Sequence, residues 1–120
     1  MSDSETNNDK RRDKRFIILE LEVYRGDTGE RLGKMINLSR GGMLVMRQAP
    51  MDVNASLGLK IPLNKAIDGH IEFDAESKVA WYRQNEISNL YSIGFEFVNL
   101  TSEQSELLEN MLDVFGSEEI

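Results

Sequence analysis

Alternation of apolar and polar residues dominates the first hundred positions. From Phe16, the side chains of Ile17, Leu19, Leu21 and Val23 fall on one face and those of Glu20, Glu22 and Tyr24 on the other, the period of a half-buried strand. "RGDTGE" then supplies Gly26, Asp27 and Gly29 for a tight turn, and a strand resumes through Leu32, Lys34 and Ile36, so the two runs predict a hairpin. "MLVM" reads as a third strand, ended by Pro50. "SLGLKIPL" aligns Leu57, Leu59, Ile61 and Leu63, with Pro62 marking an edge or the end of the strand. "HIEFDAESKVAWYR" alternates less cleanly but is rich in strand formers, among them Phe73, Val79, Trp81 and Tyr82. "YSIGFEFV" sets Ile93, Phe95 and Phe97 on one face. Six or seven short strands separated by turn residues predict an antiparallel barrel or sandwich.

The period changes after residue 100. "TSEQSELLENMLDVF" opens with a capping box from Thr101 to Gln104, and Leu107, Leu108, Met111, Leu112 and Phe115 recur at helical spacing, with Gly116 placed as a stop. The expected layout is an acidic, disordered tail at 1–9, one domain at 10–116 and a short tail at 117–120. Within the domain, a basic arm occupies 10–15, the barrel 16–98 and the helix 101–115.

Composition narrows the function. A chain of 120 residues with 40% apolar and 29% charged residues suits one soluble domain, and no apolar run is long enough to span a bilayer. No secretory h-region opens the sequence, and the absence of cysteine removes disulfides and thiolate metal sites, so a cytoplasmic location is expected. The net charge of -7 speaks against gripping long nucleic acid. Its distribution is uneven: "KRRDKR" at 10–15 holds five of the fourteen basic residues and carries +4, leaving -11 for the remainder.

Catalytic groups are scarce. His70, the single histidine, follows Gly69 in a loop without a second histidine or a carboxylate at metal-ligand spacing, which favours a structural or solvent-exposed role. Trp81, Phe95 and Phe97 are expected in the core, where aromatics carry much of the packing of a small domain. Scattered acids read as solvated strand and helix faces.

Two short stretches stand apart. In "NLSRGG", Asn37 and Ser39 are two apart and so share one side of an extended segment, offering an amide and a hydroxyl beside backbone left open at Gly42. A hairpin turn alone would also account for much of this composition. In the basic arm, Arg11 and Arg15 are separated by three residues, and a guanidinium suits bidentate contact with phosphate or with the O6/N7 edge of guanine.

Together these stretches resemble the PilZ family of bacterial cyclic di-GMP receptors. Arg11 and Arg15 match its Arg-x-x-x-Arg motif, and Asn37, Ser39 and Gly42 match its Asp/Asn-x-Ser-x-x-Gly motif. The "KVAWYR" and "IGFEF" strands and the final helix extend the resemblance over residues from about 10 to 115. It implies a six-stranded antiparallel barrel with a C-terminal amphipathic helix, no enzymatic activity and no cofactor. It further implies that the arm folds across the barrel mouth, that Arg11 and Arg15 bind guanine and phosphate groups, and that Asn37, Ser39 and Gly42 line a guanine pocket. Lys10, Arg12, Arg40 and Gly41 are additional candidate contacts, and Lys10, which precedes the first motif arginine, bears on whether one or two dinucleotides bind. A single-domain receptor would signal to an effector protein in trans. The competing readings are a PilZ-like adaptor without nucleotide binding and an OB-like binder of single-stranded nucleic acid, the latter disfavoured by the net acidity. A cyclic di-GMP hydrolase or synthase would need a metal-binding carboxylate cluster that the sequence lacks.

Overall fold

The computed structural model describes residues 16–18 and 20–117. The tail 1–9, the arm 10–15 with Lys10, Arg11, Arg12 and Arg15, Leu19, and residues 118–120 lie outside the described residues. The elements run β1 (Phe16–Ile18), β2 (Glu22–Arg25), β3 (Arg31–Ser39), β4 (Gly42–Arg47), β5 (Ser56–Ile67), β6 (His70–Gln84), β7 (Tyr91–Val98) and α1 (Ser102–Ser117).

Every strand pairing is antiparallel, and the sheet closes on itself: β2 pairs with β3, β3 with β4, β4 with β7, β7 with β6, β6 with β5, and β5 with β2. The barrel has six places for seven segments because β1 and β2 lie along the same edge of β3, β1 against Asn37 to Ser39 and β2 against Arg31 to Lys34. The expected first strand is therefore one strand with a break. The expected turn at 25–30 is present, with Gly29 at φ 77° and its N–H donating to the Arg25 carbonyl at 2.9 Å.

Inward positions carry the core. Val23, Met35, Leu38, Val45, Ile61, Phe73, Val79 and Ile93 are fully buried, and Phe73 meets Phe97 edge to face at 5.7 Å. Among the described residues the one buried polar side chain, Ser77, donates to the Leu57 carbonyl at 2.9 Å, which meets its need for a partner away from water. β5 runs five residues beyond Pro62, so of the two expectations for this proline the edge position holds and the strand end does not. Pro62 faces Glu72 on β6 and lies past the Lys60 and Leu59 pairings with β2, so its missing N–H falls where β5 is paired on one side only.

α1 begins with the predicted reciprocal cap: the Thr101 N–H donates to Gln104 Oε1 at 2.8 Å and the Gln104 N–H to Thr101 Oγ1 at 3.0 Å. Leu107, Leu108, Met111, Leu112 and Phe115 are all buried, each contributing roughly 1.5–3 kcal/mol as burial of a large apolar side chain, so packing on the barrel holds the helix. Gly116 is not its stop. The helix passes through it to Ser117, and Gly116 instead lies close to Ile17, where a Cβ would be 3.1 Å from Ile17 Cγ2. No helix among the described residues is long and apolar enough to cross a membrane.

Candidate functional site

Two β-bulges build the site. In β3 the register against β4 shifts between Met35 and Asn37, so Met35 faces Val45 inside the barrel while Asn37 faces Leu44 outside it. Ile36 is the extra residue. Without it, Asn37 and Ser39 would continue the inward phase of Met35; with it, Leu38 is buried and both polar side chains turn outward. The sequence pattern placed Leu32, Lys34 and Ile36 in one alternating run, whereas Leu32 is buried and Lys34 exposed because the strand is not regular.

In β6 the register against β7 shifts between Val79 and Trp81 in the same way. Phe73, Ala75, Ser77 and Val79 point inward, Ala80 is the extra residue, and Trp81 emerges on the outer face with 43% of its surface exposed. The expectation of a core tryptophan is thus corrected: Phe95 and Phe97 are buried, but the bulge has reversed the phase before Trp81. Arg83, two residues on, places its guanidinium carbon 5.9 Å from the indole centroid.

These residues form one row. Asn37 pairs with Leu44, Leu44 with Gly94, and Gly94 with Trp81, across β3, β4, β7 and β6. Directly paired residues share a face, so the row spans three strand spacings, roughly 14 Å, on the outside of the barrel. Gly94 contributes no side chain, which leaves room for the indole. The resulting open cleft of about 390 Å³ is lined by Asn37, Ser39, Gly41, Leu44, Trp81 and Glu96, among others, and its size falls within the roughly 300–1,000 Å³ of small-molecule sites.

The other predicted residues of the turn have distinct positions. Arg40 and Gly41 form the two-residue connection between β3 and β4, and neither has positive φ. Ser39 Oγ donates to the Gly42 carbonyl at 3.3 Å, closing the turn, and the Phe97 N–H donates to the Gly41 carbonyl at 2.8 Å. Gly42 is buried without positive φ; a Cβ there would be 1.9 Å from the Phe95 carbonyl oxygen, so close approach of β4 to β7 requires the glycine. Arg40 does not line the cleft. Its guanidinium pairs with Glu109 of α1.

Arg11 and Arg15 are not among the described residues, but the register fixes where the first described strand lies. Phe16, one residue after Arg15, pairs with Ser39, and Ile18 pairs with Asn37. The chain thus enters the barrel beside the two polar residues of the turn. No group of three or more His, Cys, Asp or Glu suited to a metal ion occurs among the described residues, and His70 Nε2 lies 3.7 Å from Glu103 of α1.

The family profile described as PilZ domain matches residues 9–113. The chain belongs to the PilZ family. PilZ domains are non-enzymatic receptors for cyclic di-GMP. No curated protein matches this chain in sequence. Among solved structures it is similar to the Bacillus subtilis inhibitor of motility, MotI/DgrA, with a TM-score of 0.69 and 18% identity over 88% of this chain and 51% of that one. It is also similar to the PilZ domain of YcgR from Escherichia coli with c-di-GMP, at TM-score 0.67 and 12% identity over 83% and 84% of the two chains. A third relative is the K. pneumonia MrkH–c-di-GMP complex, at TM-score 0.65 and 16% identity over 88% and 52%. The chain spans about half the length of the MotI/DgrA and MrkH chains. At these identities the likeness establishes the PilZ fold. The sequence motifs had pointed to Asn37 and Ser39, whereas Leu44, Trp81 and Gly94 were missed as site residues. Nothing local in the sequence marks them, because the phase reversal at Ala80 leaves no pattern of its own.

Proposed function

We propose that this PilZ protein is a receptor that binds cyclic di-GMP in the cleft between Asn37 and Trp81, closes Arg11 and Arg15 over it, and relays its occupancy to a partner protein in trans. The observation that carries the reading is the row Asn37–Leu44–Gly94–Trp81, which joins a polar amide to an exposed aromatic ring alongside β1.

Each residue then has a role suited to its chemistry. The Trp81 indole stacks on a guanine, an interaction worth roughly 1–3 kcal/mol per base. The Asn37 amide donates to and accepts from the base edge, and the Ser39 hydroxyl, whose proton goes to Gly42, accepts. Gly41 leaves the rim of the cleft without a side chain. The Arg11 and Arg15 guanidinium groups take the phosphates and the guanine O6/N7 edge, because planar forks match both. Lys10 and Arg12 supply further positive charge next to a doubly anionic ligand.

Calorimetric titration of the full chain with cyclic di-GMP, with GTP as the control ligand, tests this reading. Saturable binding of cyclic di-GMP and none of GTP is expected. Absence of binding would leave a PilZ adaptor that works through protein contacts alone.

A further inference from the structure

The turn that carries the second motif is tied to the C-terminal helix. The Arg40 guanidinium pairs with the Glu109 carboxylate through two nitrogens, Nε to one oxygen and Nη2 to the other at 3.3 Å. Arg40 lies between Ser39 and Gly41, both of which line the cleft, whereas Glu109 is midway along α1 and 69 residues away in sequence. A second tie joins the same helix to β1. Gly116 sits close to Ile17, and Ile17 pairs with Leu38, the residue between Asn37 and Ser39. Ile17 is also two residues beyond Arg15. Glu109 and Gly116 are seven residues apart, two helical turns, so one side of α1 reaches both the β3–β4 connection and β1.

We infer that Arg40 is a positioning residue, and that its pair with Glu109, together with the Gly116–Ile17 contact, couples occupancy of the cleft to docking of α1. The inference rests on the cyclic di-GMP reading above. Ligand held by Asn37, Ser39 and Gly41 restrains the turn, and a restrained turn keeps Arg40 where Glu109 can grip it. Helix opening then requires the turn to loosen. By reciprocity, ligand strengthens the docking of α1, and a partner that draws α1 away weakens ligand binding by the same factor. Both side chains of the ion pair are partly solvated, at 42% and 38% exposure, which limits the factor to about two- to fivefold. α1 is thereby the surface on which an effector can read the site.

A double-mutant cycle on the full chain tests the coupling, using Arg40→Gln, Glu109→Gln and the pair, with affinity for cyclic di-GMP and hydrogen exchange of α1 amides as readouts. Glu109→Gln, outside the cleft, should weaken binding about two- to fivefold, and the double variant should be no weaker than Arg40→Gln alone. Ligand should slow exchange across α1 in the wild type and do so less in Glu109→Gln. Unchanged or tighter binding by Glu109→Gln, or equal ligand-induced protection of α1 in both proteins, would overturn the inference, since Arg40 would then be independent of the helix or free to reach the ligand. A wild type that binds no cyclic di-GMP would reject the receptor reading itself, a result separate from insensitivity of the variants.

Discussion

The indole of Trp81 occupies the space that a side chain at Gly94 would fill: a Cβ on Gly94 would lie 2.4 Å from Nε1 and 2.5 Å from Cε2 of the ring. Trp81 is also the single tryptophan of the chain, so its fluorescence reports on the cleft alone. Cyclic di-GMP should quench that emission, and Trp81→Ala should weaken binding by roughly 5- to 150-fold, the loss of one stacked base. Gly94→Ala should shift the emission of the free protein by moving the indole and should also weaken binding. Emission indifferent to saturating ligand would remove Trp81 from the site.

Asn37 and Ser39 face outward beyond a bulge, so replacing them leaves the core untouched. Asn37→Ala and Ser39→Ala should each weaken cyclic di-GMP binding by about two- to twelvefold, the value of one ordinary hydrogen bond, with little change in thermal unfolding. Full affinity in both variants would refute the pocket assignment.

Gly42 behaves differently because its constraint is the barrel. A side chain at this position collides with the Phe95 backbone carbonyl, and backbone cannot step aside as a flexible side chain can. Gly42→Val should therefore lower the unfolding midpoint and loosen the β4–β7 pairing even without ligand. A Gly42→Val protein as stable as the wild type would show that the two strands can separate without cost.

The regular parts of this fold were legible because their periodicity is a direct record of burial. Leu57, Leu59 and Ile61 on β5, Ile93, Phe95 and Phe97 on β7, and the five apolar positions of α1 are buried as their spacing required. Bulges escaped the same reasoning. One extra residue, Ile36 in β3 or Ala80 in β6, reverses the phase of everything after it, and nothing local in "KMINLS" or "KVAWYR" marks the reversal. The candidate cleft takes Asn37, Ser39 and Trp81 from those two irregular strands, so its polar half was visible through the motif while Trp81 was assigned to the wrong face. Gly42 was identified through the motif, but its physical demand comes from β7, more than fifty residues away.

The charge on Asp74 gives a pH signature outside the site. Desolvation of its carboxyl, reinforced by Glu72 and opposed by Lys60, raises its pKa above the ordinary aspartate value. Ionised Asp74 therefore costs stability at pH above its folded pKa, and the cost disappears below the unfolded pKa near 3.9. Asp74→Asn should unfold at a higher temperature than the wild type at pH 7, with the gap closing as the pH falls toward about 3. A constant gap over that range would assign the difference to packing and not to charge.

The two arginines of the arm decide whether this cleft is a specific receptor site or an acidic domain's basic patch attracting an anion. Hydrogen bonds to charged groups are worth about 1.5–3 kcal/mol, so Arg11→Ala and Arg15→Ala should each reduce affinity for cyclic di-GMP by roughly 10- to 150-fold, and lysine should restore neither fully. Arg12 carries the same charge in the same segment but lies out of register with the motif. The deciding measurement is calorimetric titration of cyclic di-GMP into the wild type, Arg11→Ala, Arg12→Ala and Arg15→Ala at one salt concentration. The account predicts saturable binding by the wild type, a small loss for Arg12→Ala and large losses for the other two. Equal losses at all three positions, or no binding by the wild type, would contradict it.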